Sequence, residues 1–410
     1  MGTPMPFSAL FSNDLLPCIL AYQGGIHHKL LEIVAAVRVL QSATCATPSA
    51  RAVATHTLHV WFHCHHVPGL RELYRVCPDV ASHGTFLVYA SSIGQVHAVK
   101  YLLAHHHPSH HGPAVLQATL HGHLAVLQAF HDARTPDGFT SYVFTLAATH
   151  GHLDIIKFLH QHRATTCDTL AMDNAAKHGH LGIVEFLHRH REEGCTVDAM
   201  DGAAENGHID VVEFLHRNRR EGCTKRAMEA AAARGHKDVV RFLHLNRREG
   251  CHATAMDSAA ERGDASMVQF LHWNRIEGCT VHALALAAAN GHGDIVDFLL
   301  MFRTEGCVKQ AMAAAASAGH DDVVQRVLAH QGQMCVHNCE CPVEWPTRSV
   351  LCIGVEEAKA HGQWSTYKLL KGELKWKDRR QKWSHNVARA WQLQKLFKTM
   401  TRFASRRIGT

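Results

Sequence analysis

The chain has 410 residues, of which 46% are hydrophobic and 19% charged, with 11 Pro and 29 Gly. That balance excludes a disordered or collagen-like polymer, and the length exceeds what one compact core usually organises, so several domains or a repeat array is expected. The net charge of +6 is modest, but 38 His and 14 Cys are unusually many.

The first 54 residues contain NDLLPCILAYQ and LLEIVAAVRVLQ, two predicted helices, followed by a linker rich in Ser, Thr, Ala and Pro. The start has no basic residue ahead of its apolar stretch, Pro6 replaces the Ser or Thr of a myristoylation signal, and no apolar run approaches the ~18 residues of a membrane span. A reducing compartment, cytoplasmic or nuclear, is therefore expected, with the cysteines reduced.

From residue 55 the sequence is periodic. Gly151, Gly179, Gly207, Gly235, Gly263, Gly291 and Gly319 stand 28 residues apart, and the register extends back to Gly122 and Gly94 and forward to Gly362 across an insertion at about 335–350. A degenerate copy, LRELY, lies at 70–74. About ten to eleven copies span residues 55–371.

Each copy predicts two short helices. In the first, Ala199, Met200, Ala203 and Ala204 share one face. The following glycine suits a left-handed helix terminus, and an early Asp suits the positive end of the next helix. In the second, Val211, Val212, Phe214 and Leu215 form the buried stripe. One such pair cannot bury its own apolar surface, so stability must come from stacking.

These residues resemble the ankyrin repeats. AMDxAAxxGHxDVVxFLH follows the family's TPLHxAAxxGHxxIVxxLL, with Ala199, Met200 and Asp201 where the family has Pro, Leu and His. The resemblance covers about three quarters of the chain and implies an all-α, helix-turn-helix solenoid with no chemistry of its own, binding a protein partner through the concave face of its first helices. The 28-residue unit is shorter than the family's 33, and the missing residues are those of the β-hairpin finger. Similar divergent arrays are typical of large families in oomycete-like protists and giant viruses.

Several columns look like chemistry. Cys167, Cys195, Cys223, Cys251, Cys279, Cys307 and Cys335 recur at the repeat step, which stacks them about 8–10 Å apart, too far for disulfides that need Cα atoms within ~7 Å. Buried thiols are expected instead. The histidines after each glycine and those ending FLH are equally too far apart to share a metal, and structural hydrogen bonds are expected of both. Of the column Arg163, Arg191, Arg219, Arg247, Arg275 and Arg303, the last five precede glutamates by two residues, as in a ladder of surface ion pairs.

On the first helices Asp173, Asp201, Glu229 and Asp257 form an acidic column, joined by Lys177, Glu205 and Glu261. Two roles stay open for it, binding a partner or bracing neighbouring repeats. The insertion holds Cys335, His337, Cys339 and Cys341, which are zinc-ligand types, but their alternate spacing lacks the paired separation of two to four residues of a zinc site. The His-rich runs at 56–66 and 105–111 are expected to be surface. No phosphate loop, nucleophile elbow or metalloprotease motif is present, so no enzyme and no cofactor are expected.

The C-terminal segment reverses the charge. Residues 366–410 hold 13 Lys and Arg against Glu373 and Asp378, which leaves the rest of the chain acidic. Within 372–410, Trp376, Trp383 and Trp391 recur at near-helical intervals among Lys377, Arg379 and Arg380. A basic amphipathic helix is predicted, as a cap on the last repeat or as a site for a protein groove, an anionic membrane surface or nucleic acid. At the other end, LLPCIL resembles the start of an F-box, which implies an adaptor of a ubiquitin ligase; a helical cap is the alternative.

Overall fold

A computed structural model of the chain describes residues 28–41, 48–76, 84–105, 111–135, 138–162, 167–330 and 348–376. Among them every regular element is an α-helix. The contacts divide the chain into two compact units, Met1–Gly202 and Ala203–Thr410.

The first unit opens with α1 (His28–Gln41) packed on α2 (Pro48–Val76). The 29 residues of α2 run through the expected linker and through the first degenerate copy, with Pro68 inside the helix. Position 54 falls within this helix, and LRELY forms its last part. Helix pairs then follow at the repeat step: α3 (Gly84–Ser92) with α4 (Val96–Leu103), α5 (His111–Leu120) with α6 (Leu124–Asp132), α7 (Ser141–Thr149) with α8 (Leu153–His162), and α9 (Thr169–Lys177) with α10 (Leu181–His190). Helix α11 (Val197–Glu205) carries the division between the units.

The second unit continues with α12 (Ile209–Asn218). The pairs α13 (Lys225–Arg234) with α14 (Lys237–Asn246), α15 (Thr254–Arg262) with α16 (Ala265–Asn274), α17 (His282–Ala289) with α18 (Gly293–Phe302), and α19 (Val308–Ala318) with α20 (Asp321–Ala329) come next. The last pair is α21 (Arg348–Ala360) with α22 (residues 364–376).

Helices of 8 to 11 residues, such as α17 and α19, are shorter than the ~12–15 residues that stay helical alone in water, so packing must hold them. The first helices supply it with alanine. Ala227, Ala231 and Ala232 of α13 and Ala255, Ala259 and Ala260 of α15 are fully buried, and the small side chains let these helices lie close, with Met228 and Met256 filling the space between them. In the second helices Val211, Val212 and Leu215 are buried as the periodicity predicts, each stabilising by roughly 1.5–3 kcal/mol. Phe214 departs from that prediction by being half-exposed. The equivalent Phe242 shows why, since its ring meets the imidazole of His216 edge-on at 5.4 Å and spends its surface on the preceding repeat.

The turn inside each pair explains the glycine column. Gly179 has φ 78°, its N–H bonds Ala176 O at 3.1 Å, and the next N–H, of His180, bonds Ala175 O at 2.9 Å, a Schellman terminus that satisfies two otherwise orphaned carbonyls. A third carbonyl is reached from the neighbouring repeat. His180 Nε2 donates to Thr149 O, the last carbonyl of α7, at 3.1 Å, as His123 does to Ser92, His152 to Leu120, His292 to Glu261 and His320 to Ala289. The imidazole thereby lies over the previous glycine, so a Cβ on Gly207 would sit 2.5 Å from the His236 ring. Glycine is required twice, by its positive φ and by the ring pressed against it.

Gly207→Ala is expected to destabilise the protein by more than the ~1–2 kcal/mol of a left-handed non-glycine residue, because the ring must also move. Gly182, in α10, has ordinary backbone, and a Cβ there would meet only Leu153 Cδ2 at an ordinary contact distance of 3.7 Å, so Gly182→Ala should raise stability by up to ~1 kcal/mol. Denaturant midpoints of the two variants measure the contrast, and equal shifts would contradict it.

Candidate interaction surface

The acidic column is where the structure chooses between the two roles left open. Asp173, Asp201 and Asp257 are all buried, at 5%, 3% and 5% exposure. The Asp173 carboxylate accepts from the backbone N–H and the hydroxyl of Thr196, both at 2.8 Å, and Asp257 accepts from the same two groups of Thr280. Thr196 and Thr280 lie just before the first helix of the next repeat, so each aspartate ties one first helix to the start of the next. Asp173 and Asp257 thereby brace neighbouring repeats, and Asp201 is buried at the equivalent position. A buried carboxylate whose oxygens are already occupied has nothing to offer a partner. Burial raises the Asp173 carboxyl above its ordinary range, against the opposing hydrogen bonds of Thr196.

The remaining members of the column divide. Glu229 is half-buried and accepts from His252 Nδ1 at 2.8 Å and from the Thr254 hydroxyl, so it too braces. Glu205 bridges Arg226, at 3.2 Å, and Arg234, at 2.5 Å, both on α13. Lys177 and Glu261 are exposed.

The arginine column is likewise more than a surface ladder. Arg247 pairs with Glu249, and both side chains are mostly covered, at 21% and 29% exposure. The Arg247 guanidinium lies over Gly222 of the preceding repeat, where a Cβ would meet Nη2 at 2.3 Å, and Arg275 and Arg303 lie over Gly250 and Gly278 in the same way. Glu277 also accepts from the backbone N–H of Cys251, at 3.4 Å. Arg163 lies outside the described residues.

Cys167, Cys195, Cys223, Cys251, Cys279 and Cys307 are buried and form no disulfide. Burial pushes the Cys251 and Cys279 thiols up to about 11, which suits small apolar fillers rather than nucleophiles.

The two histidine columns do different work. The first makes the carbonyl contacts already described. In the FLH column the Nδ1 atoms of His131, His160, His216, His244 and His272 are buried and make no hydrogen bond, contrary to the expected hydrogen-bonding role. Their rings instead meet the next repeat's phenylalanine at right angles, as His244 does Phe270 at 5.6 Å and His272 does Phe298 at 5.2 Å.

Besides Lys177 and Glu261, one position in the first turn of the first helices is exposed at the repeat step. Tyr142 and Leu170 are exposed there, at 60% and 54%, followed within the first unit by Asp198. In the second unit Arg226, Thr254, His282 and Gln310 hold the same position, all exposed. The search for charged columns passed over this position because its residues differ in every repeat, which is the signal that identifies it. Cys335, His337, Cys339 and Cys341 lie outside the described residues, as do Lys377, Arg379, Arg380, Trp383 and Trp391 of the tail and the LLPCIL segment. Trp376, at the end of α22, is half-exposed. Among the described residues no group of three or more His, Cys, Asp or Glu is arranged to hold a metal ion, and no helix is long and apolar enough to cross a membrane.

Two stability measurements test the braces. Asp257→Ala should cost ~1–3 kcal/mol by stranding the Thr280 N–H, whereas Glu261→Gln, one turn along α15 and exposed, should stay within ~0.5 kcal/mol. The pH dependence follows from the shifts. Burial opposes ionisation of Glu193, Glu221, Glu249, Glu277 and Glu305, but the paired arginines and nearby N–H groups outweigh it and hold all five below 4.5. Burial, aided by neighbouring arginines, holds His236 and His272 below 6.5. In both cases the unfolded chain binds protons first. Stability should therefore be full above pH 6.5, decline gently below it, and fall more steeply below 4.5, with Asp173 acting in the opposite sense because its carboxyl is raised. Thermal melts from pH 8 to pH 3 read this directly, and Glu249→Gln should flatten the lower limb.

Residues 143–188 and 228–272 match the family model for ankyrin repeats in many copies. The chain matches no curated protein. The two matched segments fall one in each unit, and the glycine terminus and helix pair they contain recur at the same step outside them, from Gly94 to Gly319. The chain is an ankyrin repeat-containing protein.

Proposed function

We propose that this protein is an interaction scaffold that binds a protein partner through its first-helix face, without chemistry of its own. Ankyrin repeats are generally protein–protein interaction modules. The observation that carries the reading is the division of labour within each repeat. The carboxylate recurs from Asp173 to Asp257 and the bracing histidine in most repeats, while the exposed first-helix position changes from Tyr142 to Leu170 to Asp198 in the first unit. A position that is exposed in each of these copies and different in every one gives the array a sequence-specific surface. Tyr142 and Leu170 supply adjacent apolar anchors of the kind that dominates binding energy, and Lys177, with Asp198, supplies charge around them. Glu205 and Glu261 are the corresponding acidic groups of the second unit.

On this reading the array of residues 55–371 is the recognition element, with the preceding and following segments flanking it. The test is site-specific photocrosslinking in cells, with the reactive residue placed at 142, 170 or 198, or on second helices at 185 or 213. Adducts should form from the first set and disappear when Leu170→Asp is added to the 142 and 198 probes. Adducts arising equally from 185 and 213, or insensitive to Leu170→Asp, would overturn the reading.

A further inference from the structure

The second helices carry one surface that neither the bracing nor the first-helix face uses. At the ninth position after the bracing residue, α8, α10 and α12 have Gln161, Arg189 and Arg217. The same position in α14, α16 and α18 is Leu245, Trp273 and Met301, exposed at 79%, 66% and 63%. Ile276 is almost entirely exposed beside them, and Phe302 closes on Trp273 with ring centroids 5.6 Å apart. Three consecutive repeats of the second unit thus present an exposed apolar strip at a position where α8, α10 and α12 have polar residues. A strip of this kind marks an interaction site rather than the scattered apolar residues of any surface.

Where α22 ends bears on what covers the strip. Helix α22 continues the same stack, since Gln363 takes the bracing position over Gly319 and the hydroxyls of Ser365 and Thr366 donate to Asp321. Its C-terminus therefore emerges at the same end of the helices as the strip, three repeats from Trp273, or about 30 Å at a step of ~10 Å. Residues 377–410 follow, long enough to reach ~50 Å if helical.

The tail sequence has the matching spacing. Seven helical residues rise about 10.5 Å, close to one repeat step. Trp383, Trp391 and Phe397 recur every six to eight residues, one apolar group per repeat, while Lys382, Arg389 and Lys395 point to other sides of such a helix. A tethered segment also meets its site at an effective concentration in the millimolar range, which a free partner rarely reaches.

We infer that the C-terminal tail, residues 377–410, folds back along the outer surface of the second unit and lays its Trp383–Phe397 face on the strip formed by Leu245, Trp273 and Met301. The apolar strip is covered in cis, and the Lys and Arg side chains stay in solvent. The tail thereby clasps the last repeats together from the side opposite the first-helix face.

Hydroxyl-radical footprinting with mass spectrometry tests this on three purified proteins: the intact chain, the chain ending at residue 376, and the intact-length double variant Trp383→Ala/Trp391→Ala. Oxidation of Leu245, Trp273 and Met301 should be slow in the intact chain and severalfold faster in both altered proteins. Trp364, exposed at the opposite end of α22, should oxidise equally in all three and serves as the internal standard. Equal rates at Leu245, Trp273 and Met301 in the intact chain and the double variant would overturn the inference. Protection that disappears on diluting the intact chain would also overturn it, by assigning the strip to a second copy. If truncation reduces the far-ultraviolet helical signal, the double variant alone decides. No partner is present in this experiment, so its outcome is independent of the first-helix reading.

Discussion

The first helices end in left-handed glycines, and Gly94, Gly122, Gly151, Gly207, Gly263 and Gly291 are each closed by an imidazole of the next repeat. The Schellman turn satisfies two carbonyls locally, but the last one, such as Thr149 O, finds its donor only in the imidazole 31 residues further on. That imidazole packs on the glycine itself, so neither the turn nor its lid is complete without the other. Helices of about ten residues have no independent stability, and this shared terminus makes each one's end depend on its neighbour. The Asp–Thr and Arg–Glu contacts repeat the same logic at other points of the unit. In each, a charged or polar group of one repeat satisfies backbone at the edge of the next.

Departures from the pattern support this account. The repeat of Gly263 has Asp264 in place of histidine, and its carboxylate caps α16 at Met267 N, 3.1 Å, while pairing with Lys237 of the preceding repeat at 3.1 Å. The glycine left without an imidazole, Gly235, is instead covered by the Arg262 guanidinium, which donates to Arg234 O. The contact is rebuilt with different chemistry because the carbonyl and the glycine still need a lid. The short RxEGC connection is treated the same way, with Arg247 over Gly222 serving where a longer ankyrin unit would carry a hairpin.

This economy sorts the side chains by task. Histidine, aspartate and arginine are plentiful here because each is a device for reaching backbone across a repeat boundary. The cysteines fill the small space beneath, where a larger residue would not fit and an ionised one would not be tolerated. What is irregular beside that machinery is small: one exposed first-helix position that differs from repeat to repeat, and the apolar strip of Leu245, Trp273 and Met301. Irregularity in an otherwise periodic chain is where a scaffold can hold information about partners.

The periodicity by itself determined the helix pairs, the stacking, the left-handed glycines and the absence of a disulfide ladder, because each depends on spacing along one helix or one repeat step. It also supplied the ankyrin resemblance. It did not determine which polar columns face inward. Asp173, Asp257 and the FLH histidines have the sequence of a surface stripe, and only the approach of the neighbouring helix buries the aspartates against Thr196 and Thr280 and turns the imidazoles onto phenylalanine. Nor did it separate α2 from the repeats, since a 29-residue helix arises from packing on α1 rather than from any boundary in composition. Spacing reports which residues are equivalent; burial, which decides what equivalent residues do, is a property of the neighbour they meet.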